Sequence, residues 1–435
     1  MKIKIAFLMK PTSGIGGGDR KFMLYYKYLN PDYFDKYFLF LEKNDKIIDK
    51  NNEVHSISEE NLKDFITKHN IDFIYLAAVI KKETYESLKE HVFFLKNINF
   101  TDLYSPDEKT INLIISKTDF LKLKLLHGSL INSHVVYNPI PVDKWTGLCN
   151  KNGSFRQKFD DKRFIIGRLG RSEPTKWNFL IIKTLRLLDK RKNYNYGFIF
   201  AGMPKLYRIA LRLTLSKKML QSILFLPELR EDKDIADFYN SIDLFWQTSY
   251  IGESFGNVIA EAFCFEVPVM TDFKNFFRND GSVNKKWYNA QSELVDHGIN
   301  GTYCNYPSKI VEFLEKTSKK KLNELGKKGL AKVKKNYDAK FAGMSMAGIC
   351  YEYLKQQNKS VNEKFEKLEK IPSDKEVLAF EKEYLERLDL EIKINKIKET
   401  EYITYKIQEK MWNFIEFLYL VIRKILRTIN IDLEK

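Results

Sequence analysis

The sequence predicts an α/β protein with parallel sheets, and three observations support this. Short apolar runs alternate with helical stretches through most of the chain, which is typical of parallel strands covered by helices on both faces. Several of the runs end in a glycine-containing turn that leads directly into a helix. The chain has 435 residues, more than one hydrophobic core normally contains, so we expect two domains and an appendage.

The first half begins with an expected strand over Lys2 to Met9, a glycine-rich stretch at 14–18 and a helix from Asp19 to Leu29. A glycine-rich turn between a first strand and a first helix is an arrangement that cradles phosphate. The alternative is a turn that needs glycine for its backbone angles. Further strands are expected at Tyr37 to Leu41, Phe73 to Val79, Leu113 to Ser116 and His134 to Tyr137.

The second half contains a strand–turn–helix unit with two cations in its turn. The apolar run at Ile165 enters a turn that carries Arg171 and Lys176, and a helix is expected from Asn178 to Leu188. The guanidinium of Arg171 offers a planar fork to phosphate oxygens, and the ammonium of Lys176 is a mobile point charge. Together they are suited to neutralising a diphosphate leaving group.

A second strand–turn–helix unit carries two glutamates, Glu253 and Glu261, on either side of Gly256. It follows the apolar run Ile242 to Trp246. Free N–H groups in the first turn of its helix, together with the positive end of the helix dipole, suit a phosphate. Carboxylates accept hydrogen bonds from sugar hydroxyls. The alternative is two solvated surface glutamates.

These two units resemble the donor half of the retaining glycosyltransferases of family 4, which have the GT-B fold. That family has Gly-Arg with a Lys five residues after the Arg, and later two Glu separated by seven residues. This sequence has Gly170-Arg171 with Lys176, and then Glu253 and Glu261. The resemblance covers about residues 1–355 and implies two Rossmann-like domains facing across a cleft. We expect an acceptor domain at 1–141, a donor domain at 142–340, a helix crossing back at 341–355 and a helical extension at 356–435.

The resemblance also implies roles for individual residues. Arg171 and Lys176 would hold the diphosphate, while the loop before the first helix would face it across the cleft. Glu261 would bind the ribose, Glu253 the donor sugar, and backbone N–H groups would complete the pocket. The expected catalytic residues are Glu253, Arg171 and Lys176, and the expected donor-binding residues are Gly17, Gly18, Arg171, Lys176, Phe255, Gly256, Asn257 and Glu261.

The sequence departs from the family at one acceptor-side position. Many members place a His near the sugar, after a middle strand of the acceptor domain, whereas this chain has Leu76 to Lys81 there. We therefore assign no catalytic base. In the usual account of the family the leaving phosphate helps to deprotonate the acceptor, which would tolerate the missing His.

No metal or other cofactor is expected. Asp232 and Asp234 form the Asp-x-Asp pattern that binds divalent metal in glycosyltransferases of a different fold. Here they precede a helix expected from Ile235, where acidic residues favour the helix dipole. Arg171, Lys176 and helix N-termini suffice to stabilise a departing diphosphate, so we expect metal-independent transfer.

Charge and cysteine content bear on partners and location. The net charge is +16, and residues 356–435 contain equal numbers of acidic and basic side chains, so the excess lies before them. A basic body suits anionic donors and an anionic membrane face. No helix-turn-helix, zinc-finger or RNP-like pattern occurs, so nucleic acid is not expected. The four cysteines lack paired spacing and no export signal begins the chain, which favours the cytoplasm.

The last eighty residues are expected to be helical. Apolar residues recur at three and four positions over 374–400, which predicts a long helix that either pairs with a second subunit or wraps the body. The run Met411 to Ile422, followed by the basic stretch 423–427, is shorter than the roughly 20 apolar residues of a membrane span. It suits an interfacial helix with Trp412 and Tyr419 at headgroup level. Packing on its own domain or on a second subunit is equally open.

The favoured function is retaining transfer from a nucleotide-diphospho-sugar, in the first place a UDP-sugar, to a saccharide, lipid-linked or protein acceptor. Two alternatives stay open. A GT-B nucleotide-sugar epimerase would turn over without any acceptor. A non-catalytic sugar-nucleotide-binding or membrane scaffold would bind the donor without hydrolysing it.

Overall fold

The computed structural model describes residues 2–10, 17–42, 45–50, 52–99, 103–159, 162–278, 280–357, 359 and 374–428. The chain forms two compact units. The first comprises Met1–Pro141, Phe276–Lys285 and Lys334–Tyr384, and the second comprises Val142–Asn275, Lys286–Val333 and Leu385–Lys435.

The elements alternate between strand and helix along most of the described chain. The strands are β1 (Ile3–Met9), β2 (Phe34–Leu41), β3 (Lys46–Asp49), β4 (Val54–Ile57), β5 (Phe73–Leu76), β6 (Phe93–Ile98), β7 (Thr110–Ile114), β8 (Ser133–Val135), β9 (Phe164–Leu169), β10 (Tyr196–Ala201), β11 (Ile223–Leu226), β12 (Leu244–Gln247), β13 (Val269–Thr271) and β14 (Gly301–Tyr303). The helices are α1 (Gly17–Tyr28), α2 (Leu62–His69), α3 (Lys82–Leu88), α4 (Lys117–His127), α5 (Val142–Gly147), α6 (Leu180–Lys190), α7 (Lys205–Thr214), α8 (Lys217–Gln221), α9 (Asp232–Ser241), α10 (Asn257–Cys264), α11 (Gln291–Leu294), α12 (Pro307–Lys316), α13 (Lys319–Asn336), α14 (Ala339–Gln356), α15 (Asp374–Ile394) and α16 (Glu399–Thr428).

The first unit is built on an eight-stranded sheet in the order β3-β4-β2-β1-β5-β6-β7-β8. Its strands pair in parallel except for β3 with β4. Alternate residues of the central strand serve different cores: Phe7 packs with α1 and α14, whereas Leu8 packs with α2 and α3. Both faces of the sheet are therefore covered, as a parallel sheet requires.

The second unit is built on a six-stranded, fully parallel sheet in the order β11-β10-β9-β12-β13-β14. From β9 the chain first winds outward to β10 and β11, then returns to place β12 on the other side. The order therefore reverses between β9 and β12. In open α/β sheets ligands bind beyond the carboxyl ends of the strands at such a switch point.

From Leu385 onward the C-terminal helices belong to the second unit and pack on it. Arg387 of α15 contacts Asp296 at 3.2 Å, and Glu391 accepts a hydrogen bond from the Asn305 amide at 2.6 Å. In α16, Trp412 belongs to the same core cluster as the sheet and α6. Trp412 is thus buried, and the expectation that it lies at headgroup level in a membrane is wrong.

The α/β class with two predominantly parallel sheets is confirmed, while some details differ from the sequence expectations. Strands β3, β4 and β6 were not expected. Helices α7 and α8 are separate because Leu215 has an extended backbone and Ser216 caps α8 by accepting from the Met219 N–H.

Candidate active site

Two charged side chains stand at the switch point of the second sheet. Lys176 follows the carboxyl end of β9, and Glu253 follows the carboxyl end of β12. Their side chains meet: the Lys176 ammonium lies 2.9 Å from a carboxylate oxygen of Glu253. Because parallel strands end at one edge of a sheet, two turns distant in sequence deliver a cation and an anion to the same place.

Two buried side chains donate hydrogen bonds to the backbone of the turn after β9. Trp177 is fully buried, and its indole N–H donates to the Arg171 carbonyl oxygen at 2.9 Å. Arg168 is also buried, and its guanidinium donates to the Lys176 carbonyl oxygen at 2.6 Å. Burial lowers the pKa of Arg168 to about 10. The backbone that carries Lys176 is therefore fixed on both sides.

Glu253 is held on three sides and is only 8% exposed. One carboxylate oxygen faces Lys176, and the other accepts from the Gln247 amide at 2.8 Å. Its backbone N–H donates to the Gln291 side-chain oxygen at 2.9 Å. A buried carboxylate with these partners has one orientation, which is a requirement for recognising a ligand hydroxyl in a fixed geometry.

A second buried carboxylate, Asp272, lies directly beyond β13. Lys274 forms an ion pair with it at 2.9 Å, and the Asn178 amide donates to the same carboxylate at 3.3 Å. The Gln291 amide donates to the Asp272 backbone carbonyl at 3.3 Å. Because Gln291 also accepts from the Glu253 N–H, it links the two acidic positions.

Helix α10 begins at the glycine that the sequence singled out. Gly256 has φ 97°, in the left-handed region, and its carbonyl accepts from the Ile259 and Ala260 N–H groups. Glu261 lies one turn further, where the Tyr239 hydroxyl is 3.4 Å from its carboxylate. Burial, with a further contribution from Glu261, raises the pKa of Tyr239 well above its usual value.

The structure brings some of the expected site residues together and leaves others apart. Lys176 and Glu253 form a pair, and Phe255, Gly256 and Asn257 follow Glu253 into α10. The Arg171 side chain is exposed and pairs with Glu173 at 2.9 Å rather than with Glu253. Gly17 and Gly18 begin α1 of the first unit, two residues before the expected helix start, while residues 11–16 lie outside the described part.

Sequence reasoning missed three residues that shape this region: Arg168, Gln247 and Gln291. Gln247 had a usable signal, since a polar residue ending an apolar strand is unusual unless it faces the carboxyl edge of the sheet. Arg168 had a weaker sequence signal, because it is a cation within an apolar, buried strand. Gln291 had none, because only the fold brings it to Glu253 from 38 positions away.

Asp232 and Asp234, which spell Asp-x-Asp, lie in the first turn of α9, and Asp232 pairs with Lys144. Among the residues that the structure describes, no group of three or more His, Cys, Asp or Glu side chains is placed to hold a metal ion. Metal-independent transfer stays a prediction.

The comparisons with known proteins bear on the second unit and on the fold. Residues 150–277 match the sequence profile described as "Glycosyl transferases group 1". A search of curated proteins found no match to the sequence. The matched segment contains both strand–turn–helix units of the candidate site.

Solved structures match over most of the chain. A glycosyltransferase from Rickettsia africae ESF-5 superposes with a TM-score of 0.59 at 15% identity, covering 81% of this chain and 99% of that one. Sucrose-phosphate synthase from Thermosynechococcus elongatus superposes with a TM-score of 0.60 at 13% identity, covering 82% of this chain and 100% of that one. Anabaena HepE in complex with UDP superposes with a TM-score of 0.55 at 16% identity, covering 82% of this chain and 100% of that one. At these identities the likeness shows the fold. The chain thus has the GT-B fold, and the similarity of residues 150–277 to glycosyl transferases of group 1 supports a glycosyltransferase.

Proposed function

We propose that the protein is a family 4 retaining glycosyltransferase that moves a sugar from a UDP-sugar to a hydroxyl of a saccharide, lipid-linked or protein acceptor. The observation that carries the proposal is the Lys176–Glu253 pair at the switch point, beside the first turn of α10. The choice of UDP is supported by the solved structures of Anabaena HepE with UDP and with UDP-glucose.

In the proposed reaction the cations and amides act on the leaving group. The bond between the anomeric carbon and the diphosphate oxygen breaks, and that oxygen keeps the electron pair. Lys176, Arg171 and the first-turn N–H groups of α10 stabilise the resulting charge, since prearranged donors act where charge develops. A lysine ammonium has three N–H donors, so one can remain on Glu253 while others reach phosphate. No metal takes part in the proposal.

The acidic residues act on the sugars. Glu253, oriented by Lys176 and Gln247, accepts hydrogen bonds from donor sugar hydroxyls, and Glu261 accepts them from the ribose. The acceptor oxygen bonds to the anomeric carbon on the face that the diphosphate leaves. The proton of the acceptor hydroxyl passes to an oxygen of the departing phosphate, so no protein base is required.

A thermal-shift panel tests the donor site. We expect a UDP-sugar, and not the GDP- or ADP-sugars, to raise the melting temperature, because a ligand that binds only the folded state stabilises it. The Glu261→Ala variant should lose this shift. Glu324→Ala, on the exposed side of α13, is the matched control and should keep it.

Two further measurements separate transfer from mere binding. An active transferase should release some sugar from the UDP-sugar to water without acceptor, and the product anomer, read by nuclear magnetic resonance, should keep the donor configuration. A donor that stabilises the wild type and Glu261→Ala equally would contradict the assigned pocket. Binding without any hydrolysis or transfer would favour a scaffold.

A further inference from the structure

Helix α16 exposes several large apolar side chains. Met411, Phe414 and Phe417 are 61%, 61% and 60% exposed. We call the exposed large apolar side chains of this helix the apolar face of α16; they are Tyr402, Ile403, Ile407, Met411, Phe414, Ile415, Phe417, Leu418 and Val421. Leaving such side chains in water is unfavourable, so a contiguous set on one helix indicates a binding surface.

The other side of α16 is already occupied. Trp412 is buried, stacks on Phe179 at 5.3 Å between ring centroids and meets Tyr207 edge-on at 5.0 Å. Tyr405, two turns earlier, is buried against Tyr306. These contacts anchor the helix on the second unit. The described part of the chain therefore leaves the side chains of the apolar face partly exposed, at 39–61%.

The neighbouring helix α7, reached through Tyr207, exposes apolar and basic side chains together. Leu213 is 80% exposed and Ile209 is 40% exposed, and Arg212 between them is exposed too. No Asp or Glu occurs from 190 to 227. The same stretch contains eight cations, namely Lys190, Arg191, Lys192, Lys205, Arg208, Arg212, Lys217 and Lys218. Arg191 of this stretch pairs with Glu315, and Ser216 donates to Asp189. On α7 itself, apolar side chains alternate with Lys205, Arg208 and Arg212, which is typical of a helix at an anionic lipid interface.

The acidic residues of α16 do not offset this charge near the apolar face. Glu409 pairs with Lys406 at 2.8 Å, and Glu416 is half-buried on the packed side. Glu399 and Glu401 lie at the start of the helix, about three turns before Met411. After the apolar face the sequence continues with Arg423, Lys424 and Arg427.

A second copy of the chain is the competing occupant. A two-fold interface through this surface places the same patch of each copy against the other. It would bring two acid-free basic helices together in a protein of net charge +16, which is unfavourable. A negatively charged bilayer instead attracts each Lys or Arg near its surface. No described helix has the length and apolar composition needed to cross a bilayer, which leaves contact with one face.

We propose that the apolar face of α16 and the basic helices α7 and α8 together dock the protein on an anionic bilayer surface, with α16 lying in the plane of the interface. Phe414, Phe417 and Leu418 enter the acyl boundary. Arg212 of α7 and Lys217 and Lys218 of α8 contact lipid phosphates. This surface shares no residue with the candidate active site, and the proposal does not depend on the proposed reaction.

Vesicle co-sedimentation of the full chain tests the proposal. The wild type should pellet with vesicles of phosphatidylcholine and phosphatidylglycerol, bind phosphatidylcholine alone at least tenfold more weakly, and be released by salt. The variant Phe414→Ser/Phe417→Ser/Leu418→Ser should lose binding by about tenfold or more. Leu385→Ser/Ile392→Ser, at exposed positions of α15, is its matched control and should bind normally.

A charge comparison completes the test. Arg212→Gln/Lys217→Gln/Lys218→Gln should weaken binding to anionic vesicles by about tenfold or more, while Lys319→Gln/Lys320→Gln/Lys321→Gln removes equal charge from α13 and should not. Equal losses in both sets would overturn the proposal in favour of unspecific attraction. If the variant Phe414→Ser/Phe417→Ser/Leu418→Ser still bound vesicles as the wild type does, the proposal would also be overturned. A wild type that ignores vesicles but dimerises through α16 in analytical ultracentrifugation would assign the surface to a second copy. Circular dichroism melting should show that all variants fold.

Discussion

The Lys176 ammonium lies 2.9 Å from the Glu253 carboxylate, although the two residues follow different strands. For a transferase that uses Lys176 on the leaving diphosphate, Lys176→Met should lower kcat by roughly 10²- to 10³-fold. The matched control is Lys309→Met, which removes a lysine paired with Glu312 on α12 and should leave kcat unchanged. Steady-state kinetics with the UDP-sugar identified by thermal shift measure both. An unchanged kcat in Lys176→Met would remove Lys176 from the reaction.

The pairing itself predicts that changes at the two positions are not additive. Glu253→Gln keeps the size of the side chain but removes the charge that faces Lys176. If both residues act through one geometry, the double variant Lys176→Met/Glu253→Gln should lose little more activity than the worse single variant. A double-mutant cycle on kcat/KM measures this. Simple multiplication of the two losses would show that the residues act independently.

Trp412 ties the C-terminal extension to the segment that leads out of the candidate site. It stacks on Phe179, and the preceding Asn178 contacts Asp272. Trp412→Ala should destabilise the protein by about 3–5 kcal/mol, as removal of a buried tryptophan usually does. Trp412→Phe keeps an aromatic ring between Phe179 and Tyr207 and should cost clearly less. Urea unfolding measures both, and equal stability of the alanine variant and wild type would show that α16 is not anchored there.

Glycines near the site should differ in their tolerance of a side chain. A Cβ on Gly252 would overlap the Tyr288 carbonyl oxygen, and its φ is 77°. Gly252→Ala should therefore cost about 3 kcal/mol or more. At Gly256, with φ 97°, the nearest atom is a flexible Ile259 methyl carbon at 3.1 Å, so only about 1–2 kcal/mol is expected.

The matched control for these glycines is Gly147→Ala, where no atom lies within 4 Å of the added Cβ and φ is not positive. It should change the free energy of unfolding by less than about 0.5 kcal/mol. Chemical denaturation of the three variants gives the ranking. Equal stability of the Gly252 and Gly147 variants would contradict the backbone arrangement described for the turn after β12.

Two carboxyl groups of the C-terminal helices should make stability depend on pH. Burial raises the pKa of Glu416 to about 7 and that of Glu391 to about 7. The folded state therefore holds these protons more tightly than the unfolded state. Their contribution to stability is fully present below the ordinary glutamate pKa and is lost as the pH rises towards about 7.

Glu416→Gln should consequently be more stable than wild type above about pH 7, by roughly 1–3 kcal/mol, and the gain should shrink towards pH 5. Melting temperatures across this range measure it. Glu324→Gln, at an exposed position of α13, is the control and should show no such trend. A gain in Glu416→Gln that is independent of pH would mean that Glu416 is not held in a desolvated position.

Local patterns in the sequence were enough for the elements that carry the site. The strands before Arg171 and Glu253 and the helix after Gly256 lie close to their expected places, since apolar runs and glycine turns are properties of short segments. The same reasoning failed for β3, β4 and β6. The first two are four-residue strands at a sheet edge, and in β6 the apolar run Phe93 to Leu95 is too short to distinguish a strand from a helix.

The sequence by itself determined which residue types occupy the two turns and their order along the chain, because motif spacing depends only on covalent connection. Only the tertiary structure decided that Lys176 faces Glu253 while Arg171 faces Glu173. It alone brought Gln291 to the Glu253 backbone and turned Trp412 inward, leaving Phe414 and Phe417 exposed. The physical reason is that packing chooses among the orientations that a local pattern allows, and it depends on residues far away in the chain.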